Sequence, residues 1–328
     1  MLLSIVIPVY NGAKNISKCL DSIWTQNMNE YEYEVICVDD CSTDNTTAVL
    51  EKIKQEHDNL RIIKNDKNRR AGGSRNHGVL EAKGEYVVFI DSDDYFHHES
   101  LNKALMYLQE NQLDILVCDF AREKYNEPNN TLVHNFKNRE LLSGKDFMIS
   151  NGLPYAPWKY IFKRSVMIKN CIYFEECVSA EDVDWTHNMA MHANKMQYIP
   201  LLLTHYRLNP ASQTAQEFKS LRLIRERFFA GYRVHRLSVR YKADDSVASH
   251  LKNVSDQFFH TGLVFMTAIY CNTKKKRDTI LEYIPADYHN DRLIEFASKH
   301  PLLYAILSNM MSPFVKPAII IKRYIKGR

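Results

Sequence analysis

The sequence predicts an α/β protein: a mostly parallel β-sheet with helices on both faces, followed by a helical C-terminal region. Three observations carry this reading. Strand-like apolar runs alternate with helix-spaced segments over the first 118 residues, an order that builds parallel sheets covered on both sides. Three of those runs stop at polar residues, Tyr10-Asn11, Asp39-Asp40 and Asp91-Ser92-Asp93-Asp94, and ligands of open α/β sheets sit beyond the carboxyl ends of strands. From Glu217 onward the pattern becomes helical and rich in Lys and Arg.

Residues 3–8 form the first strand, since the opening apolar stretch is too short for a signal peptide. Ile16, Cys19, Leu20, Ile23 and Trp24 recur at helical spacing. Residues 35–38 are a second strand, and Asp44 opens a helix holding Ala48, Leu50 and Ile53, with Ser42 and Asp44 as its caps. Residues 60–63 are a third strand, 72–83 a short helix and 85–90 a fourth strand rich in β-branched and aromatic residues. A helix over 101–108, with Asp94 as a candidate cap, leads to a fifth strand at 115–118.

The polar stretch 122–138, with a turn at Glu127-Pro128-Asn129-Asn130, reads as a hairpin or excursion leaving the sheet. Residues 180–192 form a helix opened by acids, and 197–199 and 201–206 are strands on either side of Pro200. Residues 219–242 hold eight Lys or Arg against one acid, Glu226. Asp244-Asp245 then cap a more apolar helix running to Tyr270. Residues 301–328 contain no Asp or Glu and mix apolar residues with Lys and Arg. Pro301, Pro313, Pro317 and Lys316 argue against a membrane-spanning helix there.

Composition narrows the classes. A net charge of +4 over 328 residues dictates no partner for the whole chain. Seven cysteines, at 19, 37, 41, 118, 171, 177 and 271, are odd in number and lack zinc-site spacing, which fits reduced thiols in the cytoplasm. The Asn-x-Ser/Thr triplets at Asn15, Asn45, Asn129 and Asn253 are then not glycan acceptors. No Walker A or G-x-G-x-x-G pattern occurs, so neither a P-loop enzyme nor a Rossmann dehydrogenase is supported.

The polar strand ends carry chemistry. An aromatic face at Tyr10 can stack on a base. Asp39 and Asp40 precede the helix cap and are open to a ligand's hydrogen-bond donors. The segment Asn68–Gly78 joins arginines to a helix start, a combination suited to a diphosphate. Asp91-Ser92-Asp93 offers carboxylates to a hard divalent cation. Glu181, Asp182 and Asp184 sit at a helix start, where acids are also favoured by the helix dipole alone. His205 is either a structural histidine or a metal ligand, and Arg207, on the same strand end, could approach a phosphate.

In this order the motifs resemble family-two glycosyltransferases with a GT-A fold. The resemblance covers roughly residues 2–214. It rests on Ser4–Asn11, on Val38-Asp-Asp-Cys-Ser-Thr-Asp44 with Cys41 where glycine is usual, and on Gly73-Ser-Arg-Asn76. It continues through Gly84–Asp94, Trp158-Lys159, Glu181-Asp182 and Tyr206-Arg207 to Ser212. It implies a glycosyltransferase domain over 1–215, with a nucleotide-sugar half at about 1–118 and an acceptor half at about 119–215, while the charge and helical pattern make 216–328 a basic helical region.

The resemblance also implies roles. Pro8, Tyr10, Asp39 and Asp40 would line a nucleobase and ribose pocket, usually for UDP. Arg70 would approach the base or diphosphate, with Arg69 and Arg75 as competitors for that contact. Asp91 and Ser92 would contact the ribose or sugar. Asp93 would hold Mn²⁺ or Mg²⁺, a site that His205 could complete if it is not structural. Asp182 would be the general base, with Glu181 and Trp158 supporting the acceptor side.

The implied reaction moves a sugar, with inversion, from a nucleotide-diphosphate donor to a hydroxyl of a growing surface glycan such as a capsule, lipopolysaccharide or exopolysaccharide. The alternatives are a non-catalytic sugar-nucleotide-binding protein on the same fold and a sugar nucleotidyltransferase. The latter is disfavoured by the absence of a Gly-rich triphosphate loop near the N-terminus. The expected location is cytoplasmic or peripheral to the inner face of the membrane. There the basic C-terminal region either meets anionic lipid or is a helical subdomain with solvated charge. No nucleic-acid motif accompanies the charge.

Overall fold

The computed structural model describes residues 1–29, 32–124, 127–133, 136, 138–208 and 221–270. Expectations for Ser212, Cys271 and the segment 301–328 lie outside these residues. The chain divides into two units, residues 1–209 and 210–328.

The first unit is built on one sheet. Strands β1 (Leu3–Val9), β2 (Tyr33–Asp39), β3 (Leu60–Lys64) and β4 (Tyr86–Phe89) run parallel in the order β3-β2-β1-β4. Helices α1 (Ile16–Trp24), α2 (Thr46–Lys54) and α3 (Arg70–Glu81) form the crossovers. Strands β1, β2 and β4 are near-continuous apolar runs because both faces are covered. Leu3, Ile5 and Ile7 share a core with Ile16, Leu20 and Ile23 of α1. On α3, a Cβ at Gly78 would meet Val6 Cγ1 at 2.3 Å, so glycine lets this helix lie close on β1.

Beyond β4 the sheet is mixed. Its order continues β8 (Tyr160–Lys163), β6 (Ile115–Lys124), β9 (Met196–Leu208) and β5 (Tyr95–Phe96), with β7 (Glu127–Val133) paired to β6. Helix α4 (Ser100–Asn111) carries the chain to β6. Strand β8 is inserted antiparallel between β4 and β6, so those two keep one direction without touching. Parallel pairing therefore joins the first four strands and returns between β6 and β9, while β8, β5 and β7 add antiparallel pairings. The polar excursion is the β6–β7 hairpin.

Pro200 does not separate two strands. It lies inside β9, where the pairing with β6 skips from Val117↔Tyr198 to Asp119↔Leu202. A bulge absorbs a residue that cannot donate to the ladder.

Helices α5 (Gly144–Asn151), α6 (Arg164–Lys169) and α7 (Asp182–Met191) complete this unit. Trp185 fixes α7. Its ring stacks on Phe174 at 4.5 Å and meets Phe89 and Phe162 edge-on at 5.8 and 5.5 Å. The second unit shows α8 (Leu221–Arg240) and α9 (Asp245–Tyr270). Phe228, Ala230, Val234 and Leu237 of α8 are buried, as are Val247, Leu251, Val254, Phe258 and Phe259 of α9. Asp244 caps α9 by accepting from Val247 N–H at 3.2 Å. Among the described residues no helix is long and apolar enough to cross a membrane.

Candidate active site

The carboxyl ends of β1 to β4 form one rim. Tyr10 follows β1 and is 53% exposed, which leaves its ring open for stacking. Pro8 is half-buried and pairs in register with Val38. Ser92 lies against Gly12, where an added Cβ would come within 3.3 Å of its hydroxyl.

Asp39 and Asp40 are not the open carboxylates that the sequence suggests. Asp39 accepts from Ser42 N–H at 3.0 Å and from the Thr47 hydroxyl at 2.9 Å. Asp40 Oδ1 accepts from Asn65 Nδ2 and from Arg69 N–H, both at 2.7 Å. Both residues are buried, and a buried carboxylate must collect hydrogen bonds. Asp40 thereby sits at the start of α3, so that helix N-terminus already faces a protein carboxylate. Ser42 accepts from Asn11 N–H at 2.9 Å rather than capping α2, and Asp44 bonds Thr46 N–H at 3.0 Å.

The three arginines separate clearly. Arg69 pairs outward with Asp66 at 2.8 Å and Glu176 at 3.6 Å. Arg70 opens α3 with φ 58° and is half-buried. Arg75 is buried, and its guanidinium bridges Asp91 Oδ1 at 2.8 Å and Glu181 Oε1 at 2.9 Å. These are charge-assisted distances. They join the acidic turn after β4 to the acids that open α7. The same guanidinium faces Phe89 and Phe174 at 5.9 and 5.5 Å.

Sequence reasoning placed Arg75 among candidates for the donor and missed its bridging position. A usable signal existed: Arg75 shares a helical face with Gly72 and Val79, and an arginine on a buried face needs carboxylate partners. Gly72 matters to this contact, because a Cβ there would come within 2.9 Å of Glu181 Cγ.

Asp94 does not cap α4, whose N-cap position is Glu99. Its Oδ1 accepts from Arg207 N–H at 2.8 Å, while Oδ2 is buried without a hydrogen-bond partner among the described residues. Arg207 also reaches Asn15 Oδ1 at 3.3 Å and the Asp93 carbonyl at 3.5 Å. Burial, and then the charges of Asp91 and Asp93, push the Asp94 pKa well above the usual carboxylate range.

Among the described residues no group of three or more His, Cys, Asp or Glu side chains converges to hold an ion unaided. The acidic turn nevertheless fits a divalent cation. Three crowded carboxylates, one left with an orphaned buried oxygen, gain from a positive charge beside them. Mg²⁺-type sites commonly use one or two carboxylates with substrate phosphates. Half-buried Asp93 is a suitable carboxylate.

His205 belongs to a different cluster. Its Nε2 lies 3.0 Å from His97 Nδ1, and its ring stacks on Tyr95 at 4.6 Å. The Tyr95 hydroxyl donates to Glu123 at 2.7 Å. Burial and the neighbouring His97 hold the His205 pKa below its ordinary value.

Trp158 stacks on Tyr206 at 5.5 Å and meets Phe120 edge-on at 4.9 Å. Asp182 is the first residue of α7, directly after Glu181, and keeps partial solvent access. Desolvation, then the adjacent Glu181 charge, raise its pKa well above that of an ordinary aspartate, with Arg75 opposing. A carboxylate so raised binds a proton more strongly, as a general base must.

The Glycosyl transferase family 2 model matches residues 4–170. The poly(ribitol-phosphate) beta-glucosyltransferase of Bacillus spizizenii is 36% identical over 198 residues, 60% of this chain and 30% of that protein. The poly(ribitol-phosphate) beta-N-acetylglucosaminyltransferase TarS of Staphylococcus aureus is 32% identical over 201 residues, 61% of this chain and 34% of that protein. The chain thus matches about a third of the length of these relatives. A crystal structure of S. aureus TarS 1–349 in complex with UDP-GlcNAc superposes with a TM-score of 0.65, covering 100% of this chain and 93% of that one. At 20% identity this likeness is one of fold.

Proposed function

The chain belongs to glycosyl transferase family 2, and from that premise we propose that it transfers a sugar, with inversion, from a UDP-sugar to a hydroxyl of a phosphate-bridged polyol polymer. The donor and acceptor classes are taken from its relatives, two of which are named as poly(ribitol-phosphate) glycosyltransferases. The observation that carries the reading is the Arg75 bridge. It supports a single site in which the acids after β4 hold the donor and the acids opening α7 meet the acceptor.

Tyr10 stacks on the base, and Pro8, Asp39 and Asp40 shape the base and ribose pocket. Arg70 lies at the edge of that pocket, near the base or diphosphate. Asp91, oriented by Arg75, and Ser92 contact the ribose or sugar. Asp93 would hold Mn²⁺ or Mg²⁺, which when bound neutralises charge on the departing diphosphate. Trp158 and Glu181 shape the acceptor side.

Asp182 takes the proton from the acceptor hydroxyl as that oxygen attacks the anomeric carbon. The bond to the diphosphate oxygen breaks on the opposite face, and its electron pair leaves with UDP. No enzyme nucleophile is required. A raised Asp182 pKa improves the match between base and alcohol.

The test is a screen of nucleotide sugars against polyol-phosphate acceptors with and without added Mn²⁺. The expected outcome is UDP-sugar turnover that rises at least tenfold with the metal and is suppressed by EDTA. Turnover confined to a non-uridine donor would refute the donor assignment, and full activity in EDTA would refute the metal.

A further inference from the structure

Helix α8 carries six arginines and a single acid, Glu226. Its apolar side is consumed within its own unit, where Phe228, Ala230, Val234 and Leu237 are buried. Gly262 of α9 lies so near Phe228 that a Cβ would come within 2.9 Å of its ring. Arg227 is turned to this side and lies over the Phe258 ring at 5.0 Å.

The other five arginines fall elsewhere on the helix. At 3.6 residues per turn, the backbone positions of Arg222, Arg225, Arg233, Arg236 and Arg240 share an arc of about 80° away from the buried side. They extend along about 27 Å of helix. Glu226 falls at the edge of this arc. Arg236 and Arg240 are exposed. A solvated helix face ordinarily mixes acids with bases in its sequence, whereas the positions of this arc hold five arginines and no acid.

We infer that this stripe is a docking surface for a linear phosphodiester polymer, the acceptor chain itself, which runs along α8 and engages several phosphates at once. The inference rests on the acceptor class proposed above. Guanidinium groups recognise phosphate oxygens in a bidentate manner, and a line of them complements a line of phosphates. An anionic membrane is the weaker match. A helix lying in a bilayer interface inserts an apolar side beside its basic one, and the apolar side of α8 is already packed against its own unit.

The experiment measures binding of fluorescently end-labelled poly(ribitol phosphate) to the full chain by anisotropy across a range of salt. Replacing Arg233, Arg236 and Arg240 together by Gln is expected to weaken binding at least tenfold at low salt. The log–log salt slope should become shallower by about 2, at about 0.7 per lost phosphate contact. Replacing the same three by Lys keeps the charge but loses the bidentate fork, so the salt slope should stay near that of wild type and affinity should fall less than in the Gln variant, which also shows that the surface tolerates substitution. Removing the exposed charges of Lys52 and Lys54 on α2 should change it less than twofold.

Wild-type affinity and slope in the Gln variant would overturn the proposal. So would an equal loss on removing Lys52 and Lys54, which would reduce the effect to net charge. Arginine-dependent binding to phosphatidylglycerol vesicles, with no binding to the soluble polymer, would overturn it in favour of a membrane. Sugar transfer to the same polymer reads the acceptor class separately. Arginine-dependent binding without transfer keeps the surface and refutes the acceptor assignment.

Discussion

On the β1–β3 side of the rim, Asp39 and Asp40 are buried and each accepts two hydrogen bonds. Across the rim, Asp94 is equally buried but has one oxygen without a partner among the described residues, and Asp182 is desolvated beside Glu181. A fully bonded carboxylate holds the loops around it in one geometry. An under-bonded carboxylate stores unfavourable free energy that a proton, a cation or a substrate can release. On the proposed function the first pair would shape the donor pocket, and the second pair would be the one that responds to a proton, a cation or a substrate. Within the second side, Arg75 joins the turn after β4 to the start of α7 by pairing with Asp91 and Glu181.

The largest expected effect separates these two kinds of acid. Asp182→Asn should lower transfer by about 10²–10⁴-fold, the usual range for losing a general base, while UDP binding by calorimetry stays within twofold. As the proposed base, the same residue should set the acid limb of the pH profile. Its folded pKa is raised, so the ionised base is lost as pH falls through a value above that of a solvated aspartate. Stability runs the other way, because a carboxyl with a raised folded pKa costs stability when ionised and that cost disappears on protonation. Near-normal transfer by Asp182→Asn would end the comparison on the catalytic side.

Arg75→Met should lower unfolding free energy by about 3 kcal/mol, since removing the shared partner leaves two carboxylates of a buried network uncompensated. Urea denaturation measures this directly. A change below about 1 kcal/mol would mean that water replaces the guanidinium and that the bridge is not structural.

Asp40→Asn comes next, at about 2 kcal/mol, because it exchanges a charged acceptor for a neutral one facing Asn65 and the Arg69 N–H. Its loss should appear in stability and in the KM for donor, with kcat nearly unchanged. A variant with normal stability and a much reduced kcat would move Asp40 to the reactive side of the comparison.

What could be read in advance follows from range. The parallel strands were legible because their apolar runs are local, and the strand-end acids because each run stops where polarity begins. The partners of those acids were not. Asp40 looks open until Asn65 and Arg69 are brought to it, and Arg75 is one of three arginines until α7 returns more than a hundred residues later. Pro200 reads as a strand boundary because the bulge that accommodates it belongs to the pairing with β6. His205 reads as a possible ligand because nothing local announces that His97 lies against it. Strand β5, two residues long, offers no periodicity at all.

The smallest effect tests whether under-bonding extends beyond the acids. Lys159 is 2% exposed, and its ammonium has no hydrogen-bond partner among the described residues, lying 4.5 Å over the Phe120 ring. Burial lowers its pKa from 10.5 to about 8, with Asp119 opposing. Below about 8 the lysine is charged in both folded and unfolded chains, and folding bears the full cost of burying that charge. Between about 8 and 10.5 the unfolded chain holds more protons, so wild-type stability rises with pH. Lys159→Met removes the cost and keeps the packing volume, and should gain about 1 kcal/mol at pH 7, with the advantage shrinking as pH approaches 10. A Met variant that is less stable than wild type at pH 7 would show the ammonium to be compensated by Asp119, and the contrast between bonded and under-bonded groups would then rest on Asp94 alone.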